Sequence, residues 1–274
     1  MPETHVLLSG LIIRQDFAEA VRPVFFQTAY EEFLYATHGG TLFLVVHRGR
    51  VYGVTCAHVF GDFPRGQLFV TQKKLAQKGS MPGHVTQLAF PSSPKDDAVG
   101  TDVTDLCVIQ FSEDINPDFF SSPYIIEKRT VVTSKPGHAL RVAGVLKDKT
   151  SIVPPDINIG YCRLEFQDAG PSGSDPFLRR AEAQYDKTDF TSVTGISGSP
   201  VYDQTAHALC GMVVRGGMTG NRCTIRYLDV QDILRFLEAV SQGAGSVYYM
   251  KPAGFSRPSH ARAGKTAANG LSGP

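Results

Sequence analysis

No stretch of this 274-residue chain is long and apolar enough to read as a membrane span, and neither sign of charge dominates it. Lys and Arg number 27 against 26 Asp and Glu, a net charge of +1. That balance supplies no overall basic field and argues against a dedicated nucleic-acid binder. The sequence has no Cys-x-x-Cys pair, which excludes a zinc ribbon or a dithiol redox motif. It also has no glycine-rich phosphate loop, no heptad run and no internal repeat. The first residues lack the basic-then-apolar order of a secretory signal, since Val6–Ile13 is short and interrupted by Ser9 and Gly10. The expected compartment is cytoplasmic.

What is present is apolar and rich in turns. Hydrophobic residues make up 42% and charged residues 19%, enough for a sizeable core and too little charge for a disordered chain. Glycine (27) and proline (17) punctuate short apolar runs throughout. The five cysteines, Cys56, Cys107, Cys162, Cys210 and Cys223, are scattered and mostly flanked by apolar neighbours, so buried reduced thiols are expected. Residues 251–274 carry four basic residues, no acid, and a Gly/Pro/Ser/Ala-rich composition, which reads as a disordered basic tail. Without it the body holds 23 basic and 26 acidic residues and is mildly acidic.

The periodicity is that of an all-β protein. Strands are expected at Thr41–His47, Val51–Cys56, Gln67–Thr71, His84–Phe90 and Leu106–Phe111. A second group is expected at Ala139–Lys147, Gly160–Phe166, Ala181–Tyr185, Pro200–Tyr202, Ala208–Val214 and Arg222–Tyr227. Loops separate them at Pro91–Thr101 and Gln167–Pro176. Two such groups fit two antiparallel six-stranded β-barrels better than one large sheet. Asp229 and Asp232 open a helix over Val230–Val240, with Ile233, Leu234, Leu237 and Val240 on one face. A weaker helical pattern at Asp16–Tyr35 contains Pro23, which would break it. The expected organisation is a lead segment (1–36), a first barrel (37–128), a second barrel (129–228), a terminal helix and strand (229–250), and the tail.

Three short segments each supply one part of a nucleophilic apparatus. Val54-Thr55-Cys56-Ala57-His58 sets a histidine where a hydrophobic strand ends. Thr104-Asp105-Leu106-Cys107-Val108-Ile109 sets an aspartate where one begins. Gly195-Ile196-Ser197-Gly198-Ser199-Pro200 sets a serine in a glycine-flanked turn. A serine hydroxyl needs an imidazole to accept its proton, and the imidazole needs a carboxylate to fix its tautomer. The oxyanion needs two preorganised N–H donors, and the Gly195 and Ser197 N–H groups are the candidates. Asp96, Asp97 and Asp102 compete with Asp105 but lie in the preceding loop, whereas Asp105 abuts the apolar run. Neither Cys56 nor Cys107 sits in a glycine turn, and Cys56-x-His58 lacks the second half of a metal site. The α/β-hydrolase elbow G-x-S-x-G is not met, because Ser199 takes the last glycine position and only His207 and His260 follow the serine.

These blocks resemble those of the trypsin-like (chymotrypsin-fold) serine peptidases, which read T-A-A-H, D-[IL]-A-[LV]-[LI] and G-[DN]-S-G-[GS]-P. The order His58, Asp105, Ser197 and the gaps of 47 and 92 residues are similar to that family's. The likeness extends over about residues 37–240 and includes Cys210–Gly217, similar to the strand lining the primary specificity pocket. It implies a serine endopeptidase acting on protein or peptide substrates, with Ser197 as nucleophile, His58 as base and Asp105 as its orienting acid. No metal or organic cofactor, nucleic acid or membrane partner is implied. The implied pocket is formed by Thr191, Val214, Arg215 and Gly216.

Two departures stand out. Ile196 replaces the aspartate that pairs with the new N-terminus of activated trypsins, and no cysteine lies near Val193 for the disulfide beside the nucleophile. Both fit an intracellular, non-zymogen type. Thr191 in place of an acid argues against cleavage after Lys or Arg, and Arg215 would favour acidic side chains. The alternative is a catalytically silent member of the fold that binds peptides or serves as a scaffold.

Overall fold

Short runs of Val, Ile, Phe and Thr with glycine between them can bury their faces only by pairing side by side, and they do so here in two groups. The computed structural model describes residues 4–8, 11–30, 33–37, 39–73, 82–83, 85–91, 105–112, 118–153, 156–173, 175, 177–185, 192–243 and 246–249. The expected tail, nearly all of the 91–101 loop, and Thr191 lie outside them.

The first group begins with a hairpin of β1 (Thr4–Leu8) and β2 (Leu11–Gln15), followed by β3 (Val21–Pro23), β4 (Phe25–Tyr30) and β5 (Phe33–Ala36). It continues with β6 (Thr41–His47), β7 (Arg50–Cys56), β8 (Leu68–Thr71), β9 (Pro82–Gly83), β10 (Val85–Phe90), β11 (Leu106–Phe111) and β12 (Tyr124–Ile125). The second comprises β13 (Ala139–Val145), β14 (Ser151–Val153), β15 (Asp156–Asn158), β16 (Tyr161–Pro171), β17 (Leu178–Gln184), β18 (Pro200–Asp203), β19 (Ala208–Thr219) and β20 (Arg222–Asp229). Helix α1 (Val230–Ser241) and β21 (Ser246–Tyr249) follow.

The second group closes into a six-stranded barrel in the order β13-β16-β17-β20-β19-β18. Closure of the first group into a second barrel is not shown among the described residues. Among the described residues it forms a seven-stranded sheet, β12-β6-β7-β11-β10-β21 with β3 also on β6, and a separate four-stranded sheet, β5-β4-β8-β9. The strand after the helix, β21, returns to pair with β10 of the first group.

Residues 17–30 are part of the first group rather than a segment ahead of it. Asp16 caps a single 3-10 turn, Phe17–Ala20, accepting from the Ala18 N–H at 3.0 Å. The chain then enters β3 and β4 instead of a helix; Pro23, which has no N–H to give, and the aromatic run after it favour strand. The Arg22 side chain is fully buried, and its hydrogen bonds go to carbonyls and a hydroxyl. It donates to the carbonyls of Glu19 (2.7 Å), Val21 (2.9 Å), Thr71 (3.2 Å), Gln72 (3.0 Å) and Ser121 (2.7 Å), and to Ser121 Oγ (2.9 Å). One guanidinium thus ties three distant segments together, and its burial pulls its pKa down to about 10.

Residues 167–171 also depart from expectation, since β16 runs on through them with a bulge between Asp168 and Gly170. Asp168 faces inward in the same alternation as Leu164 and Phe166. Its carboxylate accepts from Arg179 (2.8 Å), Tyr227 Oη (2.7 Å) and the Gly170 N–H (2.6 Å). Burial alone would raise this carboxyl, but those donors hold it below the usual carboxylate range. Helix α1 forms as expected: Asp229 accepts from the Gln231 N–H at 2.9 Å, and Val230, Ile233, Leu234, Leu237 and Val240 are buried. Each of those side chains contributes on the order of 2 kcal/mol.

Two outcomes follow. Arg22→Met, which leaves five carbonyls and a hydroxyl without their donor, should lower unfolding stability by at least about 3 kcal/mol in urea titration. Because the Asp168 pKa is depressed on folding, its contribution is present above the ordinary carboxylate pKa and is lost as pH falls through the folded value. Asp168→Asn should therefore be clearly destabilised at pH 7, by roughly 3 kcal/mol, and should show a smaller further loss than the parent protein below about pH 4.

Candidate active site

Strand pairing brings His58 and Asp105 together. Leu106 pairs with Cys56 and Cys107 with Thr55, so the residue just before β11 meets the turn just after β7. Asp105 grips His58 at two points. Oδ1 accepts from the His58 backbone N–H at 2.9 Å, and Oδ2 lies 2.5 Å from Nδ1. A carboxylate can only accept, so in the neutral imidazole Nδ1 carries the proton and Nε2 is left as an acceptor. The histidine side chain is 49% exposed against 18% for the aspartate, so the imidazole is open to a reactant while the acid behind it is largely covered.

The serine turn is pressed against the first group of strands. Gly195 (φ 103°) and Gly198 (φ 84°) both adopt the left-handed region. A Cβ at Gly198 would lie 1.9 Å from the Thr41 carbonyl oxygen, and one at Gly195 would lie 2.5 Å from that of Val145. Both spacings admit glycine alone.

Thr41, buried completely, is the main contact. Its N–H donates to the Ser197 carbonyl (2.9 Å) and its Oγ1 to the Gly195 carbonyl (2.8 Å). The same Oγ1 accepts from the Val145 N–H (2.9 Å), and the Thr41 carbonyl accepts from Thr55 Oγ1 (2.6 Å). Sequence reasoning missed Thr41 and Thr55. The only signal was a polar residue at the start of one apolar run and near the end of another.

The N–H groups of the turn divide cleanly. Thr194 donates to Ser192 Oγ, Ile196 to Val193, Gly198 to Val213 and Ser199 to Ile196. Gly195 and Ser197 have no acceptor among the described residues, and they are the pair proposed for the oxyanion. The serine hydroxyl donates to the Val214 carbonyl at 3.0 Å, and among the described residues no hydrogen bond joins it to His58. Val214 is the extra residue of a bulge in β19, between the pairs Val213↔Tyr227 and Arg215↔Arg226. The neighbouring Val213 carbonyl lies 3.3 Å from Cys56 Sγ, so the histidine and serine segments meet on two successive peptides of β19.

Around Gly216 the expected pocket is packed. A Cβ there would sit 2.9 Å from Ile196 Cδ1, 3.3 Å from Val193 Cγ2 and 3.4 Å from Ile225 Cγ2. Ile196 and Val193 are almost completely buried in the core of the closed barrel. Arg215 is exposed at the pocket's outer edge. Cys56, His58 and Asp105 place three potential metal donors within 4.8 Å of one another, but Asp105 is committed to His58 and the buried Cys56 thiol points to a carbonyl. All five cysteines are free thiols, four of them buried and Cys162 half-buried. A separate cleft of about 620 Å³ lies against α1, lined by His47, Arg48, Lys128 and Glu238, and includes none of the three residues.

No protein-family model matches this chain, and no curated protein matches it. Solved structures do. Mouse neuropsin, described as a serine protease of the limbic system, is 14% identical, with a TM-score of 0.55 over 82% of this chain and 95% of its own. Human heparin binding protein is 14% identical, with a TM-score of 0.56 over 84% of this chain and 94% of its own. Likeness at that level of identity speaks to architecture: the chain adopts the chymotrypsin-like fold, mostly β with a closed six-stranded barrel and a C-terminal helix.

Proposed function

We propose that this protein is a serine endopeptidase that cleaves protein or peptide substrates through an acyl-enzyme. The observation that carries the reading is the two-point grip of Asp105 on His58, with Nδ1 at 2.5 Å. It leaves Nε2 as the proton acceptor on a half-exposed ring. Ser197 Oγ attacks the substrate carbonyl carbon while its proton passes to His58 Nε2. The oxyanion lies against the Gly195 and Ser197 N–H groups. His58 returns the proton to the leaving amine as the C–N bond breaks, and water then hydrolyses the ester by the same route. Ser197 must first leave the Val214 carbonyl, which costs about 1 kcal/mol of hydrogen bonding. The free thiols and Ile196 in place of an acid favour a cytoplasmic enzyme that needs no activating cleavage.

A second reading, a silent binding protein on the same fold, draws on that Ser197–Val214 bond. A fluorophosphonate probe separates the two. Labelling of the parent protein that disappears in Ser197→Ala supports the peptidase, with peptide turnover falling about 10⁶-fold in Ser197→Ala and in His58→Ala. Asp105→Asn should fold and lose turnover by about 10⁴-fold, because the imidazole then takes the wrong tautomer. Folded parent protein that takes no label supports the binding reading. Thr41→Val keeps the backbone bonds but removes the Oγ1 bonds to Gly195 and Val145. It should slow labelling by at least about tenfold while the protein remains folded, checked by an unfolding curve run beside the labelling assay.

A further inference from the structure

The turn between β6 and β7 holds an arginine where turn chemistry favours another residue. His47 pairs with Arg50, which leaves a two-residue loop, Arg48-Gly49, with both φ angles positive (50° and 77°). Asn-Gly is the favoured pair for such a loop, and a side chain as large as arginine is uncommon in the left-handed region. The backbone gains nothing from arginine at this place, so the reason for it lies in what the side chain meets.

Arg48 lines the cleft of about 620 Å³ against α1. Three elements close around that space. They are the β6–β7 turn, the turn after β12 with Glu127 and Lys128, and α1 with Gln231, Leu234, Arg235 and Glu238. The turn after β12 is tied by Thr130, whose N–H donates to the Glu127 carbonyl (2.9 Å) and whose Oγ1 accepts from the Glu127 N–H (2.8 Å). The volume falls in the range of small-molecule pockets, roughly 300–1,000 Å³.

The acids in the wall already have their donors. Glu238 accepts from His47 Nε2 (3.0 Å), Gln242 Nε2 (3.0 Å) and Arg48 Nη2, and Glu127 accepts from Arg129 Nε (2.8 Å). The other ring nitrogen of His47 lies 3.4 Å from the Ile126 carbonyl oxygen, so the buried imidazole is occupied on both sides. The donors are a different case. Arg48 engages one guanidinium nitrogen, on Glu238, and Arg235 engages one, on Asp232. The Lys128 ammonium and the Gln231 side-chain amide have no partner among the described residues. The cleft therefore presents a ligand with N–H donors on three cationic side chains from three separate elements. A forked guanidinium fits carboxylate and phosphate oxygens alike, and an ammonium adds a point charge.

We propose that the cleft against α1 binds a small organic anion carrying two or more carboxylate or phosphate groups, held by Arg48, Lys128 and Arg235. It is a second site, separate from Ser197, and it stands whether or not the peptidase reading does.

The test is isothermal titration calorimetry on the full chain with citrate, with fructose 1,6-bisphosphate and with neutral sorbitol, at an ionic strength of about 0.15 M. At least one of the two anions should bind once per chain with a Kd below about 1 mM, and sorbitol should not bind. Lys128→Gln and Arg235→Gln should each weaken that binding by about tenfold or more, and Lys135→Gln, outside the cleft, should leave it unchanged. Arg48→Asn supplies the favoured turn residue, so it should weaken binding by a similar factor without lowering the unfolding midpoint. Binding of citrate alone identifies a carboxylate ligand, and binding of the bisphosphate alone a phosphate ligand; either supports the site. Binding of neither anion, or an affinity unchanged in both Lys128→Gln and Arg235→Gln, would overturn it.

Discussion

Thr41 holds the two halves of the molecule in working register. It is one buried residue on β6, and it engages the Ser197 and Gly195 carbonyls, the Val145 N–H and the Thr55 hydroxyl. Each bond contributes only about 1 kcal/mol net, but none of these groups can reach water if Thr41 withdraws, so each would then cost roughly 1–3 kcal/mol. The clamp is directional where apolar packing is not. It fixes the peptide orientation through the turn, and hence which N–H groups are left for a reactant. Among the described residues the Gly195 and Ser197 N–H groups have no acceptor, their carbonyls being tied to Thr41 and their flanking N–H groups bonded within the turn or to β19.

The residue before the serine shows a second solution to the same problem. In the enzymes this chain resembles, an acid there is held by a charged amine. Here Ile196 sits in the barrel core with Val193 and against Gly216, and burial of the side chain contributes on the order of 2 kcal/mol. Apolar anchoring is present as soon as the barrel folds and responds little to salt or pH. It also takes up the space in front of Gly216.

Much of this was legible in the sequence because the signals are local. Alternation and turn residues give the strands of the closed barrel, and Asp229 with one apolar stripe gives α1. The histidine, aspartate and serine blocks each sit at a strand boundary, where the fold puts them. The parts that were not legible depend on partners far away in the chain. Nothing near Arg22 announces that its acceptors are residues 71, 72 and 121, so residues 17–30 read as a lead segment. Gln167–Pro171 reads as a loop because polar residues and glycine dominate it. It continues as strand with Asp168 on the inward face, where Arg179 and Tyr227 meet its carboxylate. Closure of a sheet is likewise a matter of which edges meet, and local pattern does not carry it. The first group was expected to close like the second; among the described residues it forms a seven-stranded and a four-stranded sheet.

We propose that one buried clamp leaves two N–H groups and a histidine–aspartate pair for a serine that can be released to react. The most direct test is a crystal structure of the protein after treatment with a fluorophosphonate. Phosphorus is expected on Ser197 Oγ, with the bond to Val214 broken and the phosphoryl oxygen about 2.7–3.1 Å from both the Gly195 and Ser197 nitrogens. An unmodified Ser197 still donating to Val214, or an adduct whose oxygen points away from those two nitrogens, would contradict it.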